Sequence, residues 1–149
     1  PQHDVLWLTL TVKEHLELYA TLKGVPAHEV EHVVTRMMSD VGIPEKAHTR
    51  AHALSGGMKR KLSVGCALIG GSKCVLLDEP SSGMDPSSRR SMWELLRRSK
   101  PGRVLVLTTH YMDEADLLAD RIAVMAQGLL RCCGSSLFLK VCMQGLVVT

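Results

Sequence analysis

Residues 74–80, Cys74-Val75-Leu76-Leu77-Asp78-Glu79-Pro80, decide the fold. Four apolar residues in a row show no alternation, so they read as a short strand buried on both faces, as in a parallel sheet. Two carboxylates follow where the strand leaves the core. Downstream, Asp85-Pro86 marks a helix start, with Asp as N-cap and Pro at the first helical position. That helix turns Met92, Trp93, Leu95 and Leu96 inward, carries Arg97, Arg98 and Lys100 near its end, and breaks at Pro101-Gly102. Val104 to Leu107 is a second apolar strand, ending in Thr108-Thr109-His110. Strand, helix, strand in this order predicts an α/β fold with a parallel sheet and right-handed crossovers. Chemistry in such sheets gathers at the carboxyl ends of the strands, where Asp78, Glu79 and His110 all fall.

Upstream, Leu54-Ser55-Gly56-Gly57 opens a helix that reaches about Ile69 and stops at Gly70-Gly71. Two amphipathic helices come before it. Thr11 and Glu14 form a capping box, with Val12, Leu16, Tyr19 and Leu22 at helical spacing and Gly24 as the stop. The next starts near Pro26 and carries Val30, Val33, Val34, Met37, Met38 and Val41 to Gly42. A polar connection runs from Pro44 to His52. Beyond His110, a short acidic helix spans Asp113 to about Ala119, and Ile122–Met125 pairs with Leu129–Cys132 across Gln127-Gly128.

At 149 residues the chain can bury one core, which predicts a single compact unit. With 3% aromatic residues, that core must be built from Leu, Val, Ile, Met and Ala. A formal charge of +3 without a dense basic run argues against nucleic acid as a partner, and Lys59-Arg60-Lys61 reads as a solvated helix face. The five cysteines show no CxxC or Cys/His ligand spacing, so neither a zinc site nor a disulfide framework is indicated. No apolar run approaches the roughly 20 residues of a bilayer span. No signal peptide and no internal repeat are visible.

Three stretches carry chemistry. Asp78 offers hard oxygen ligands for Mg²⁺, directly or through its water shell, and Glu79 could polarise an attacking water. The alternative is a pair of ordinary acidic turn residues. His110, one crossover further on, could hydrogen-bond the same phosphate or Glu79; a surface histidine is the plain alternative. At Ser55, Gly56 and Gly57, glycines at a helix start let backbone amides approach a phosphate, with a hydroxyl added. In isolation the same residues would be an ordinary Ser-capped helix.

In order along the chain, Leu54-Ser55-Gly56-Gly57-Met58, Val75-Leu76-Leu77-Asp78-Glu79-Pro80, Ser82-Gly83-Met84-Asp85-Pro86 and Thr108-Thr109-His110 closely resemble the ATP-binding-cassette transporters. They are similar to that family's signature motif, Walker B motif, D-loop and switch histidine, and Gln2 resembles its Q-loop glutamine. The resemblance extends to about Lys140. Met58 with Lys59-Arg60-Lys61-Leu62-Ser63, Gly83-Met84, His110-Tyr111-Met112-Asp113-Glu114-Ala115-Asp116 and Cys132-Cys133-Gly134-Ser135-Ser136-Leu137-Phe138-Leu139-Lys140 are similar to the A subfamily of lipid exporters.

The resemblance implies a P-loop NTPase-like sheet with a helical signature subdomain. Residues 1–73 would hold the Q-loop, that subdomain and the signature helix. Residues 74–140 would hold the Walker B, D-loop and switch-histidine core, with 141–149 a divergent tail. It implies ATP and Mg²⁺ as ligands, with Asp78 and Gln2 toward the metal and Glu79 and His110 catalytic. Ser55, Gly56, Gly57 and Asp85 would face ATP held by a second nucleotide-binding domain paired head to tail. Transmembrane domains of one transporter would be the other partners, lipid the cargo, and the cytoplasmic face of a membrane the location. Two alternatives are a non-catalytic domain that lends its signature surface and a part of a soluble protein of the family.

The family's phosphate loop, GxxxxGK[ST], occurs nowhere in the sequence and is expected upstream of a chain that reads as truncated. Millimolar binding needs about 4 kcal/mol, whereas a charge at a helix terminus gains only about 0.3–1 kcal/mol. The chain alone is therefore expected neither to bind nor to hydrolyse ATP appreciably.

Overall fold

The structure is a computed structural model and describes residues 5–145. Its helices are α1 (Val12–Leu22), α2 (Ala27–Asp40), α3 (Gly56–Leu68), α4 (Pro86–Ser99), α5 (Met112–Leu118) and α6 (Ser136–Gly145). Its strands are β1 (Cys74–Asp78), β2 (Val104–Thr108), β3 (Ile122–Ala126) and β4 (Leu129–Gly134). In place of the single unit expected from length, the described residues pack as two units, divided between Thr108 and Thr109.

In the first unit, α1 begins as the sequence predicts. Thr11 caps it through its side chain, and Glu14 reaches back to the Thr11 amide at 2.7 Å, completing the capping box. One stripe of α1 is fully buried through Val12, Leu16 and Ala20. It packs on α3 at Gly65, where an added Cβ would sit 3.4 Å from Leu16 and 3.2 Å from Val41. α2 closes the same core with Val34 and Met38. The polar connection after it is two short 3-10 turns (Pro44–Lys46 and Ala51–Ala53), tied to the start of α1 by a bridge between Thr11 and Arg50.

The parallel sheet is present as a pair, β1 beside β2, with α4 as the crossover. Asp85 caps α4 and Pro86 opens it, and Met92, Leu95 and Leu96 are buried, while Trp93 is only half-buried. Burial of β1 differs from expectation. Val75 and Leu77 face the core, but Leu76 is 72% exposed, and on β2 Val104 and Val106 are 60% and 50% exposed. A strand is buried on both faces only when each sheet face carries a layer, and the described helices cover one. Lys59, Arg60 and Lys61 are half-buried instead of solvated, because α3 also buries Leu62, Val64, Cys66 and Leu68 among its neighbours.

In the second unit β3 and β4 pair antiparallel across Gln127-Gly128, with a bulge between Val124 and Met125. Both turn residues have positive φ, 53° and 74°, as a type I′ hairpin turn requires. Helix α6 went unread in the sequence, although Ser135 marks its start: its hydroxyl accepts from the Phe138 amide at 3.2 Å.

One-sided burial makes a direct prediction for urea denaturation. Leu62→Ala should cost about 2–5 kcal/mol, whereas Leu76→Ser should stay within about 0.5 kcal/mol.

Candidate functional site

Parallel pairing of β1 and β2 sets Asp78 opposite Thr108. The Thr108 hydroxyl donates to Asp78 Oδ1 and accepts from the Glu79 amide at 3.2 Å. That amide also reaches the Thr108 carbonyl at 3.0 Å. One threonine thus fixes both carboxylate-bearing residues at the strand's end. Glu79 has φ 47°, a left-handed conformation that costs a non-glycine residue about 1 kcal/mol or more. The chain then turns through a bond from the Ser82 amide to the Glu79 carbonyl at 3.1 Å, with Pro80 and Ser81 buried.

Asp78 fits a hard cation. It is exposed, it is an oxygen donor, and Thr108 contacts one of its two carboxylate oxygens. No cluster of three or more His, Cys, Asp or Glu occurs among the described residues. Mg²⁺ needs none, since it is commonly held by one or two carboxylates, phosphate oxygens and water. Asp78 opens on a cleft of about 240 Å³ shared with Tyr19, Lys23, Arg60 and Cys66.

Ser55 lies on a different cleft of the same unit, about 470 Å³ in volume, lined by Ser55, Gly57, Lys61, Met84, Asp85 and Ser88. Ser55 caps α3, its hydroxyl accepting from the Met58 amide at 3.3 Å. Gly56 is exposed beside it. Asp85 caps α4, with Oδ1 accepting from the Ser87 and Ser88 amides at 3.1 and 3.0 Å. Two helix N-termini therefore share this cleft. Ser55, Gly57 and Asp85 are brought together, and Asp78 and Glu79 are brought together.

His110 belongs to the second unit, where it is exposed and its ring lies 4.0 Å from that of Tyr111. Gln2 lies outside the described residues. Thr108 is the residue that sequence reasoning missed. Its signal was the equal length of the two strands, which places the polar residue ending one beside the polar residue ending the other.

A family model described as ABC transporter matches residues 1–82. The chain belongs to the ABC transporter family. It is 59% identical over 140 residues to human phospholipid-transporting ATPase ABCA3, covering 94% of this chain and 8% of that protein. Human ATP-binding cassette sub-family A member 2 is 52% identical over 94% of this chain and 6% of its own length. In Dictyostelium discoideum, ABC transporter A family member 2 is 54% identical over 94% of this chain and 9% of its own length. The chain thus spans less than a tenth of these relatives. A solved structure titled "Structure of ATP binding subunit of ABC transporter" superposes on all of this chain with a TM-score of 0.85 at 25% identity, using 62% of its own length.

Asp78 thus lines one cleft, and Ser55, Gly57, Met84 and Asp85 line the other. No described helix is long and apolar enough to cross a membrane.

Two charge-state consequences follow. Hydrogen bonds from Ser88 and Ser87 hold the Asp85 carboxyl below the usual carboxylate range. A depressed folded value means the ionised form favours folding; the contribution is full above the ordinary carboxylate range and fades as pH falls through the folded value. Asp85→Asn should therefore flatten the acid limb of urea midpoint against pH and leave its slope above neutrality unchanged. Burial pushes the Cys66 thiol up to about 12, while Cys74 and Cys133 are exposed. Alkylation of the folded chain at neutral pH, read by peptide mass spectrometry, should label Cys74 and Cys133 and spare Cys66.

Proposed function

We propose that this chain is the signature and Walker B portion of a nucleotide-binding domain whose ATP hydrolysis drives lipid movement in a membrane transporter. The observation that carries the reading is the pair of clefts: Asp78 on one, Ser55 and Asp85 on the other. A domain that completes one ATP site and closes over a partner's needs two such surfaces.

Asp78 would hold Mg²⁺, which when bound would neutralise phosphate charge. Glu79 orients and polarises the attacking water. Its amide, held by Thr108, fixes where that carboxylate starts. The roles of His110 and Gln2, toward the phosphate and the metal, rest on the family resemblance alone. Ser55, Gly56 and Gly57 offer a hydroxyl and the amides of a helix start to ATP held by a second, head-to-tail domain. Asp85 sits at that interface, preorganised by its own cap. Transmembrane domains of the same transporter take up the motion, at the cytoplasmic face of the membrane. Lipid as the cargo is supported by the human relative, a phospholipid-transporting ATPase.

The test is Mg-ATP binding by isothermal titration, first with the chain alone and then mixed with a domain carrying an intact phosphate loop. The chain alone should show no binding, and the mixture should bind more tightly than the added domain alone. Ser55→Ala should remove most of that gain. Tight binding by the chain alone, or a gain indifferent to Ser55, would overturn the reading.

A further inference from the structure

The end of α3 opposite Ser55 is held from outside. A helix leaves its last carbonyls without intrahelical partners, and water, local turns or side chains usually take them. Here Lys23, the C-cap residue of α1, donates from Nζ to the carbonyls of Cys66, Ala67 and Ile69 at 2.9, 2.7 and 3.1 Å. An ammonium has three protons, and all three are used. The carbonyl left between them, that of Leu68, accepts from Arg103 at 3.3 Å. Four consecutive carbonyls are thus taken by two cations, one from α1 and one from the residue before β2.

Gly70 forms the seat for this contact. Its φ is 74°, and a Cβ there would lie 2.8 Å from the Cβ of Lys23, so any side chain would meet the lysine stem. Burial lowers the Lys23 pKa, and the Arg103 charge adds to that, with Cys66 opposing. Three carbonyl acceptors favour the charged form in return.

We propose that Lys23 is a positioning residue for the signature motif, pinning the C-terminal end of α3 so that Ser55, Gly56 and Gly57 stand at a fixed place at the other end. Thirteen residues make a rod roughly 20 Å long. A rod held by three hydrogen bonds at its C-terminal end, and by the close packing of Gly65 on Leu16 and Val41 one residue before them, has little freedom to slide there. A helix capped only by water would keep that freedom. Arginine is a poor replacement, because its planar fork cannot aim three protons at three carbonyls on one turn. The inference rests on the reading of Ser55 as a nucleotide-facing residue.

The experiment pairs amide hydrogen exchange of the chain with the mixed-domain ATP titration, comparing wild type, Lys23→Met and Lys23→Arg. Lys23→Met keeps the apolar stem and removes the charge. Exchange should quicken about tenfold along the whole of α3, including Lys59 and Leu62 near its start, while α2 amides change little. The Ser55-dependent gain in ATP binding should fall in parallel, with Lys23→Arg restoring less than half of either. If faster exchange is confined to residues 65–69, or spreads evenly over α1, α2 and α4, Lys23 is a local cap or a general stabiliser and the proposal falls. Should Lys23→Met fail to fold, Arg103→Gln removes one bond of the same clamp, and the same two readouts decide. The exchange arm needs no nucleotide, so a wild type without a Ser55-dependent gain would count against the proposed function and leave the pinning of α3 separately measured.

Discussion

The parallel register of β1 and β2 is the constraint on which the carboxylate-bearing end of the sheet depends. It sets Asp78 beside Thr108, and one hydroxyl then serves two carboxylate residues, donating to Asp78 and accepting from the Glu79 amide. A slip of one residue along either strand would carry the carboxylates away from that hydroxyl and turn the strand's buried residues outward. Core packing through Val75 and Leu77 therefore fixes the chemistry as well as the fold.

Much of this was legible along the chain wherever cause and effect lie close together in it. The Thr11–Glu14 capping box, the Asp85 cap with Pro86 behind it, and the Gln127-Gly128 turn each depend on neighbours within a few residues. They fell where local rules put them. Thr108 was invisible as a bridge because its partners lie 29 and 30 residues away and only strand pairing brings them near. Lys23 was invisible for the same reason, since its carbonyl partners are 43 to 46 residues distant. The β1 run misled in one respect. Apolar sequence reports what a strand tolerates on each face, whereas burial also needs a layer to lie there, and the second face of this sheet carries none among the described residues.

Ser55 and Asp85 share a second dependence. Each is the N-cap of its helix, so the oxygen offered to a ligand surface also accepts a hydrogen bond from its own backbone. The caps hold these side chains in place, so on the proposed reading less entropy is lost when a partner domain closes over them. Substituting either residue removes an anchor and a contact together, so structural and functional effects at these positions must be separated by measurement.

Glu79 carries a consequence of a different kind. It sits in a left-handed backbone conformation that glycine or asparagine would adopt at lower cost. The local preference of the chain thus runs against the residue found there, and a mutation to glycine would relieve strain while deleting the carboxylate. The relieved strain would offset part of what the lost side-chain interaction and the added freedom of the unfolded chain cost. On the proposed reading of Glu79, a screen that scores stability would miss what had been lost, and only an assay of turnover by the whole transporter would reveal it.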